Sequence, residues 1–181
     1  MRNRPCRDDY HMVQALWIRV RSQDESTQHG CIVIAEDGKP LSQGYNGFPK
    51  DCDDEKMPQT RPDKYYIVLH SEENAILNCD VSMKGATAYI TGPPCAHCWS
   101  QLIQKDIARV VFGPVRSTHK DSQHLEDSEL QNRLIDLLLE GRDIDVVEWI
   151  PEDVDLLWDE LDELKQLIQL SHMRRRGITR R

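Results

Sequence analysis

Apolar and polar positions recur along this chain with two different periods, and the changes of period outline its elements. Tyr10, Val13, Leu16, Trp17 and Val20 repeat at helical spacing, which predicts a first helix over residues 8–20 with one apolar face. Cys31-Ile32-Val33-Ile34-Ala35 is a short β-rich run. Asp37-Gly38 is a hairpin signal, and residues 40–44 return as a second strand. Residues 45–63 are rich in Gly, Pro, Asp and Asn and read as a long loop, either a lid or ligand loop or a plain surface insertion. Beyond it, residues 66–69 form an apolar, strand-like run. Helices are predicted over residues 71–78, 98–105 and 128–139, and strands over 87–91, 109–112 and 145–149. Strands alternating with helices imply an α/β sandwich whose strands are at least partly parallel.

The C-terminal part has its own pattern. Val154, Leu157, Leu161, Leu164 and Ile168 form a stripe at alternating three- and four-residue spacing, opposite Asp155, Asp159, Asp162, Glu163 and Gln166. That is one apolar seam on a helix, too short for a coiled coil. The seam needs a cover, supplied either by its own domain or by a neighbouring subunit. A basic run, Arg174 to Arg181, ends the chain.

Composition narrows the function classes. The 181 residues suffice for one domain with a sizeable core, and no apolar run approaches a bilayer span. The first ten residues lack the apolar stretch of a secretory signal, so a cytoplasmic location is expected. Lys and Arg number 23 against 31 Asp and Glu, a net charge of -8 that speaks against a polymeric nucleic acid as partner. The six cysteines are then expected to be thiols or metal ligands rather than a disulfide framework.

Two segments carry chemistry together. His70-Ser71-Glu72 and Pro94-Cys95-Ala96-His97-Cys98 each stand between an extended run and a helix. One imidazole and two thiolates suit tetrahedral Zn²⁺ with one position open to water, and thiolates are favoured at a helix start. Glu72 would lie near the ion without binding it, free to move a proton from the activated water to the substrate. This His-x-Glu and Pro-Cys-x-x-Cys pairing is the signature of zinc-dependent nucleobase deaminases. A closed structural zinc site with His97 as fourth ligand is the alternative, and it leaves Glu72 without a role. His11, His29, His119, His124 and His172 have no such company and are expected on the surface or in polar loops. Cys6, Cys31, Cys52 and Cys79 are expected to be ordinary thiols.

From about Trp17 to Phe112 the chain resembles the deoxycytidylate (dCMP) deaminases of the cytidine deaminase-like superfamily. The resemblance runs through Arg21-Ser22-Gln23-Asp24, Gly30-Cys31-Ile32-Val33, Gly44-Tyr45-Asn46-Gly47-Phe48-Pro49, Cys52-Asp53-Asp54 and Lys64-Tyr65, and ends on the two zinc segments. It implies a three-layer α/β/α sandwich on a mixed five-stranded sheet, to which the C-terminal helix is an addition. The implied domains are a zinc-dependent deaminase domain over residues 1–150, the added helix over 151–172 and a flexible basic tail over 173–181. Zn²⁺ would be held by His70, Cys95 and Cys98, with Glu72 as proton shuttle. The Ser71 amide would bind the pyrimidine O2, the Pro93 carbonyl the 4-amino group, Asn46 the sugar and Arg21 the phosphate. The activity implied is hydrolysis of dCMP to dUMP and ammonia, feeding thymidylate synthesis. Similar enzymes are often hexamers activated by dCTP and inhibited by dTTP, with Mg²⁺ accompanying the triphosphate, which implies a homohexamer or other homo-oligomer and points to Tyr45 and Gly47 for the effector. The residues after Phe112 lack a tyrosine common there in the family, so 5-substituted dCMP and dCTP stay open as substrates. A tRNA or single-stranded DNA deaminase using the C-terminal arginines, and a non-catalytic zinc-containing nucleotide sensor, are the other readings.

Overall fold

Hydrogen bonding arranges the strands into one mixed sheet of five, in the order β2-β1-β3-β4-β5. The molecule is a computed structural model that describes residues 4–60, 62–115 and 122–175. His119, Lys120 and the end of the basic run from Arg176 onward lie outside the described residues. In chain order the elements are α1 (Arg7–Ile18), β1 (Gly30–Ile34), β2 (Pro40–Tyr45), α2 (Ser71–Leu77), β3 (Thr87–Ile90), α3 (Ala96–Gln104), β4 (Arg109–Phe112), α4 (Ser122–Leu139), β5 (Asp145–Glu148) and α5 (Val154–Arg175). β1 is antiparallel to both β2 and β3, whereas β3, β4 and β5 run parallel. The hairpin between β1 and β2 turns at Gly38, whose φ of 88° favours glycine, and its N–H donates to the Ala35 carbonyl at 2.8 Å.

The pleat sorts the core into two layers. Cys31, Val33, Ala88, Ile90 and Val110 point to one face, where they pack with Ala75 of α2 and with Trp99 and Leu102 of α3. Ile135 and Leu138 of α4 join the same cluster. The alternate residues meet α1 on the other face, where Met12, Ala15 and Leu16 are fully buried. There the Tyr89 hydroxyl donates to Asp8 at 2.9 Å, and the His11 and Tyr89 rings lie 5.0 Å apart. Arg109 of β4 clamps the helix by donating to both Asp8 carboxylate oxygens at 2.7 and 2.8 Å, and it also reaches Asp145 of β5. Helices therefore cover both faces of the mixed sheet, as the resemblance implied.

The chain divides into two compact units, Met1–Trp149 and Ile150–Arg181. The second contains α5, which carries Leu157, Leu161, Leu164 and Ile168 of the expected stripe. Among the described residues no helix is long and apolar enough to cross a membrane.

One expected strand is absent. Residues 66–69 do not extend: Asp63–Tyr66 is a 3₁₀ turn, with Tyr65 N–H bonded to Pro62 and Val68 N–H to Lys64. Leu69 alone pairs, through an isolated bridge to Gly47. The apolar side chains there are not core, since Tyr66 is 84% exposed, and the buried residue of the turn is Lys64. A buried charge with its partner outweighs the run of apolar letters in fixing this segment.

Gly44 decides how closely β2 and α2 approach. A Cβ at that position would overlap the Ser71 carbonyl and the Ala75 amide of α2. Gly44→Ala should therefore cost about 1–3 kcal/mol through overpacking. The lost stability is read by denaturant unfolding, and the displaced start of α2 by a fall in bound zinc.

Candidate active site

His70 and Cys95 are the N-caps of α2 and α3, and both have extended backbone, φ -72° ψ 160° and φ -73° ψ 167°. Each ends an irregular stretch just where a helix begins, so the side chain is aimed by the helix start behind it. The Cys95 sulfur accepts the Cys98 N–H at 3.5 Å, closing the first turn of α3 around the Cys-x-x-Cys spacing. Because the two helices pack beside each other, the caps converge. His70 Nδ1 lies 3.5 Å from Cys95 Sγ and 3.4 Å from Cys98 Sγ, and the three donor atoms all fall within 4.8 Å of one another.

This donor set fits zinc. One imidazole nitrogen and two sulfurs leave a fourth tetrahedral position for a small ligand. The expected fourth protein ligand of a closed site turns away, since His97 is exposed and meets Gln101 at 2.9 Å. The electrostatics also suit a cation. The Cys95 thiol is pushed down to about 3, first by its hydrogen bond with Cys98, and His70 is raised to about 9, first by its bond to Cys95. Cys98 moves up through the same bond with Cys95 and through burial. The cluster thus pairs a Cys95 thiolate with protons on His70 and Cys98, and a metal ion bound there would replace those protons.

A cavity of about 160 Å³ opens beside the cluster. His70, Ser71, Glu72, Cys95, Asn46 and Pro93 all line it, while Cys98 is buried behind them. Glu72 is 5% exposed, its carboxyl is raised by burial, and its Oε2 accepts the Ser71 hydroxyl at 2.8 Å. The other three expected site residues stand elsewhere. Arg21, Tyr45 and Gly47 line a neighbouring cavity of about 470 Å³, where the Arg21 guanidinium lies 5.9 Å from the Tyr45 ring centre. Asp24, Lys64 and Val68 belong to both cavities and form the wall between them.

That wall contains what the sequence did not signal. Lys64 donates to Asp24 at 2.9 Å and to the Ser26 hydroxyl at 3.2 Å, and both charged side chains are nearly inaccessible. Burial would raise the Asp24 carboxyl, but the Lys64 bond and the Thr27 and Ser26 amides outweigh it and hold it low. The pair joins residues 40 apart, and although both fall in segments that carry the resemblance, nothing local pairs one with the other. One histidine differs from the expected surface or polar loop, and a second stands in such a loop but lines a cavity. His11 is buried against the sheet, and His29, just before β1, lines the reaction cavity, where burial holds its imidazole down at about 4. Neither ring could be placed from its neighbours in sequence, because each is enclosed by residues distant along the chain.

Known proteins share this pattern. Residues 5–114 match the family described as the cytidine and deoxycytidylate deaminase zinc-binding region. The chain is 32% identical over 134 residues to the human deoxycytidylate deaminase, covering 70% of this chain and 72% of that one. It is 35% identical over 117 residues to a probable deoxycytidylate deaminase of Drosophila melanogaster, spanning 58% of each chain. Its fold matches that of the dCMP deaminase of cyanophage S-TIM5, crystallised in complex with dCMP and dUMP, with a TM-score of 0.57 at 21% identity. That match covers 81% of this chain and 99% of the phage protein.

Lys64→Met should strand the Asp24 carboxylate in the wall and lower stability by about 3–5 kcal/mol. Adding Asp24→Asn should recover part of the loss, which a double-mutant cycle by urea unfolding measures. In the native protein the depressed Asp24 contributes stability above the ordinary carboxyl value of 3.8, and this is lost as pH falls below it.

Proposed function

We propose that this chain, which belongs to the cytidine and deoxycytidylate deaminase family, hydrolyses dCMP to dUMP and ammonia. The observation that carries the reading is a buried glutamate beside a three-ligand metal cluster, at the wall of a cavity of nucleotide-base size. His70, Cys95 and Cys98 would hold Zn²⁺. When bound there, zinc supplies Lewis acidity that brings the pKa of water from 15.7 to about 7. Glu72 does the proton work. Its carboxylate takes a proton from the attacking water and gives it to N3 of the cytosine; it then takes the remaining proton of the hydroxyl added at C4 and gives it to the departing amine, which leaves ammonia and the C4 carbonyl of uracil. Burial suits Glu72 to both states, because a raised carboxyl holds the proton long enough to deliver it.

The base is oriented by backbone. The Ser71 amide lies at the first turn of α2 with no helical carbonyl to bond, and donates to the pyrimidine O2. The Pro93 carbonyl, on the cavity wall, accepts from the 4-amino group, and this contact selects cytosine over uracil, whose C4 carbonyl has no proton to donate. Asn46 borders the sugar. The second cavity supports regulation by dCTP and dTTP. Arg21 and Lys50 offer cations to a triphosphate there, Tyr45 an aromatic face, and Asp51 and Asp54 carboxylates for a hydrated Mg²⁺. The wall it shares with the first cavity gives an effector a route to the substrate.

Ammonia release is to be compared across dCMP, dCTP, deoxycytidine and 5-methyl-dCMP. The reading expects dCMP to be preferred, and it fails if dCMP is inert while another of these turns over. Glu72→Gln should retain zinc but lose turnover by several orders of magnitude, about 10²–10⁴-fold from lost acid–base catalysis alone. Chelation should abolish activity, and added Zn²⁺ should restore it. Arg21→Ala separates two phosphate roles. A raised KM for dCMP assigns Arg21 to the substrate, whereas loss of the dCTP response with KM unchanged assigns it to the effector.

A further inference from the structure

His29 is the one imidazole on the cavity wall outside the metal cluster, and its hydrogen-bonding state follows from its neighbours. Thr91 is fully buried, and its hydroxyl oxygen accepts the Gly30 N–H at 3.0 Å. The hydroxyl hydrogen must therefore be donated elsewhere. Among the described residues the acceptor in reach is His29 Nδ1, at 3.3 Å. With Nδ1 accepting, the ring proton sits on Nε2. The Nδ1–Cε1 edge lies against the backbone at Gly92, where a Cβ would come within 2.8 Å of Cε1 and 3.2 Å of Nδ1. His29 lines the cavity, and its Nε2–H has no hydrogen-bond partner among the described residues. Burial keeps the ring neutral at physiological pH, so the group offered there is an uncharged donor.

Asn46 completes the pattern. Its Oδ1 accepts the His29 backbone N–H at 2.6 Å, which fixes the two residues against each other. Its Nδ2 hydrogens are already committed, to the Thr27 carbonyl at 2.9 Å and to Asp24 Oδ2 at 3.3 Å. Asn46 can therefore accept one more bond through Oδ1 but has none left to donate. This stretch of wall offers one donor, His29 Nε2–H, beside one acceptor, Asn46 Oδ1. A carbonyl would satisfy only the donor and an ammonium only the acceptor. A hydroxyl satisfies both.

We propose that His29 is a specificity-determining residue whose Nε2–H donates to the 3′-hydroxyl of the bound deoxynucleotide, while that hydroxyl donates to Asn46 Oδ1. The inference rests on the nucleotide reading above and adds the group that recognises the sugar. The corresponding test is equilibrium binding, by calorimetry on the zinc-loaded protein, of dUMP and its 2′,3′-dideoxy analogue. The wild type should favour dUMP about 30-fold, the worth of two neutral hydrogen bonds at about 1 kcal/mol each. His29→Leu should lower that preference about fivefold and leave the part due to Asn46, whereas His29→Gln, which keeps a donor, should retain the full preference. In dCMP turnover the His29→Leu loss should fall on KM, with kcat held. A His29→Leu protein that still favours dUMP as the wild type does would overturn the proposal. If the wild type binds neither nucleotide, the nucleotide reading itself is wrong and this inference goes with it. A measurement on the unmodified protein keeps the test independent of folding of the variants. Nitrogen-15 resonances of His29 should show Nε2 protonated and should move with dUMP more than with the dideoxy analogue, whereas an Nδ1–H tautomer contradicts the proposal.

Discussion

Three ligand atoms from two segments 25 residues apart must come within 4.8 Å of one another, and the fold is arranged around that requirement. The solution is to place His70 and Cys95 at the starts of two helices that pack side by side on one face of the sheet. A helix start is a fixed point, because the residue before it has extended backbone and the turn behind it is hydrogen-bonded. It also presents unpaired N–H groups that favour thiolate sulfur. Gly44 lets β2 press against α2, and Trp99 and Leu102 anchor α3 in the core, so each cap is held from behind. The sheet contributes position and the helix starts contribute chemistry.

The second organising feature is electrostatic. The net charge of -8 is not spread evenly in its effects, because one of the acidic groups, Asp24, is buried and neutralised by Lys64 in the wall between two cavities. Asp24 also accepts from Asn46 and from the amides of Ser26 and Thr27, so a single carboxylate ties together the loop before β1, the end of β2 and the turn before His70. This explains why a long loop rich in Gly and Pro can line a defined cavity. Its backbone is irregular, but its position is set by a satisfied buried ion pair.

Much of this was legible in the sequence. The α/β alternation, the hairpin at Gly38 and the bounds of β4 follow from local periodicity, because each element buries one regular face. The His-x-Glu and Cys-x-x-Cys segments declare themselves because metal geometry constrains spacing within a turn. What escaped depends on contacts between distant residues. Residues 66–69 read as a strand by apolar content, yet the segment folds around the buried Lys64. His29 reads as a surface or polar-loop histidine and does lie in a loop, but its contact with Thr91, 62 residues away, has no local signal. In each case the deciding partner lies across the fold, where no local pattern can show it.

The account stands on the claim that His70, Cys95 and Cys98 form an open metal site rather than a closed structural one. X-ray absorption at the zinc edge of the purified protein tests this most directly. The account predicts two sulfurs at about 2.3 Å, one imidazole nitrogen at about 2.0–2.1 Å and one non-protein oxygen in the first shell. A shell of two sulfurs and two imidazoles, with no place for water, would contradict it.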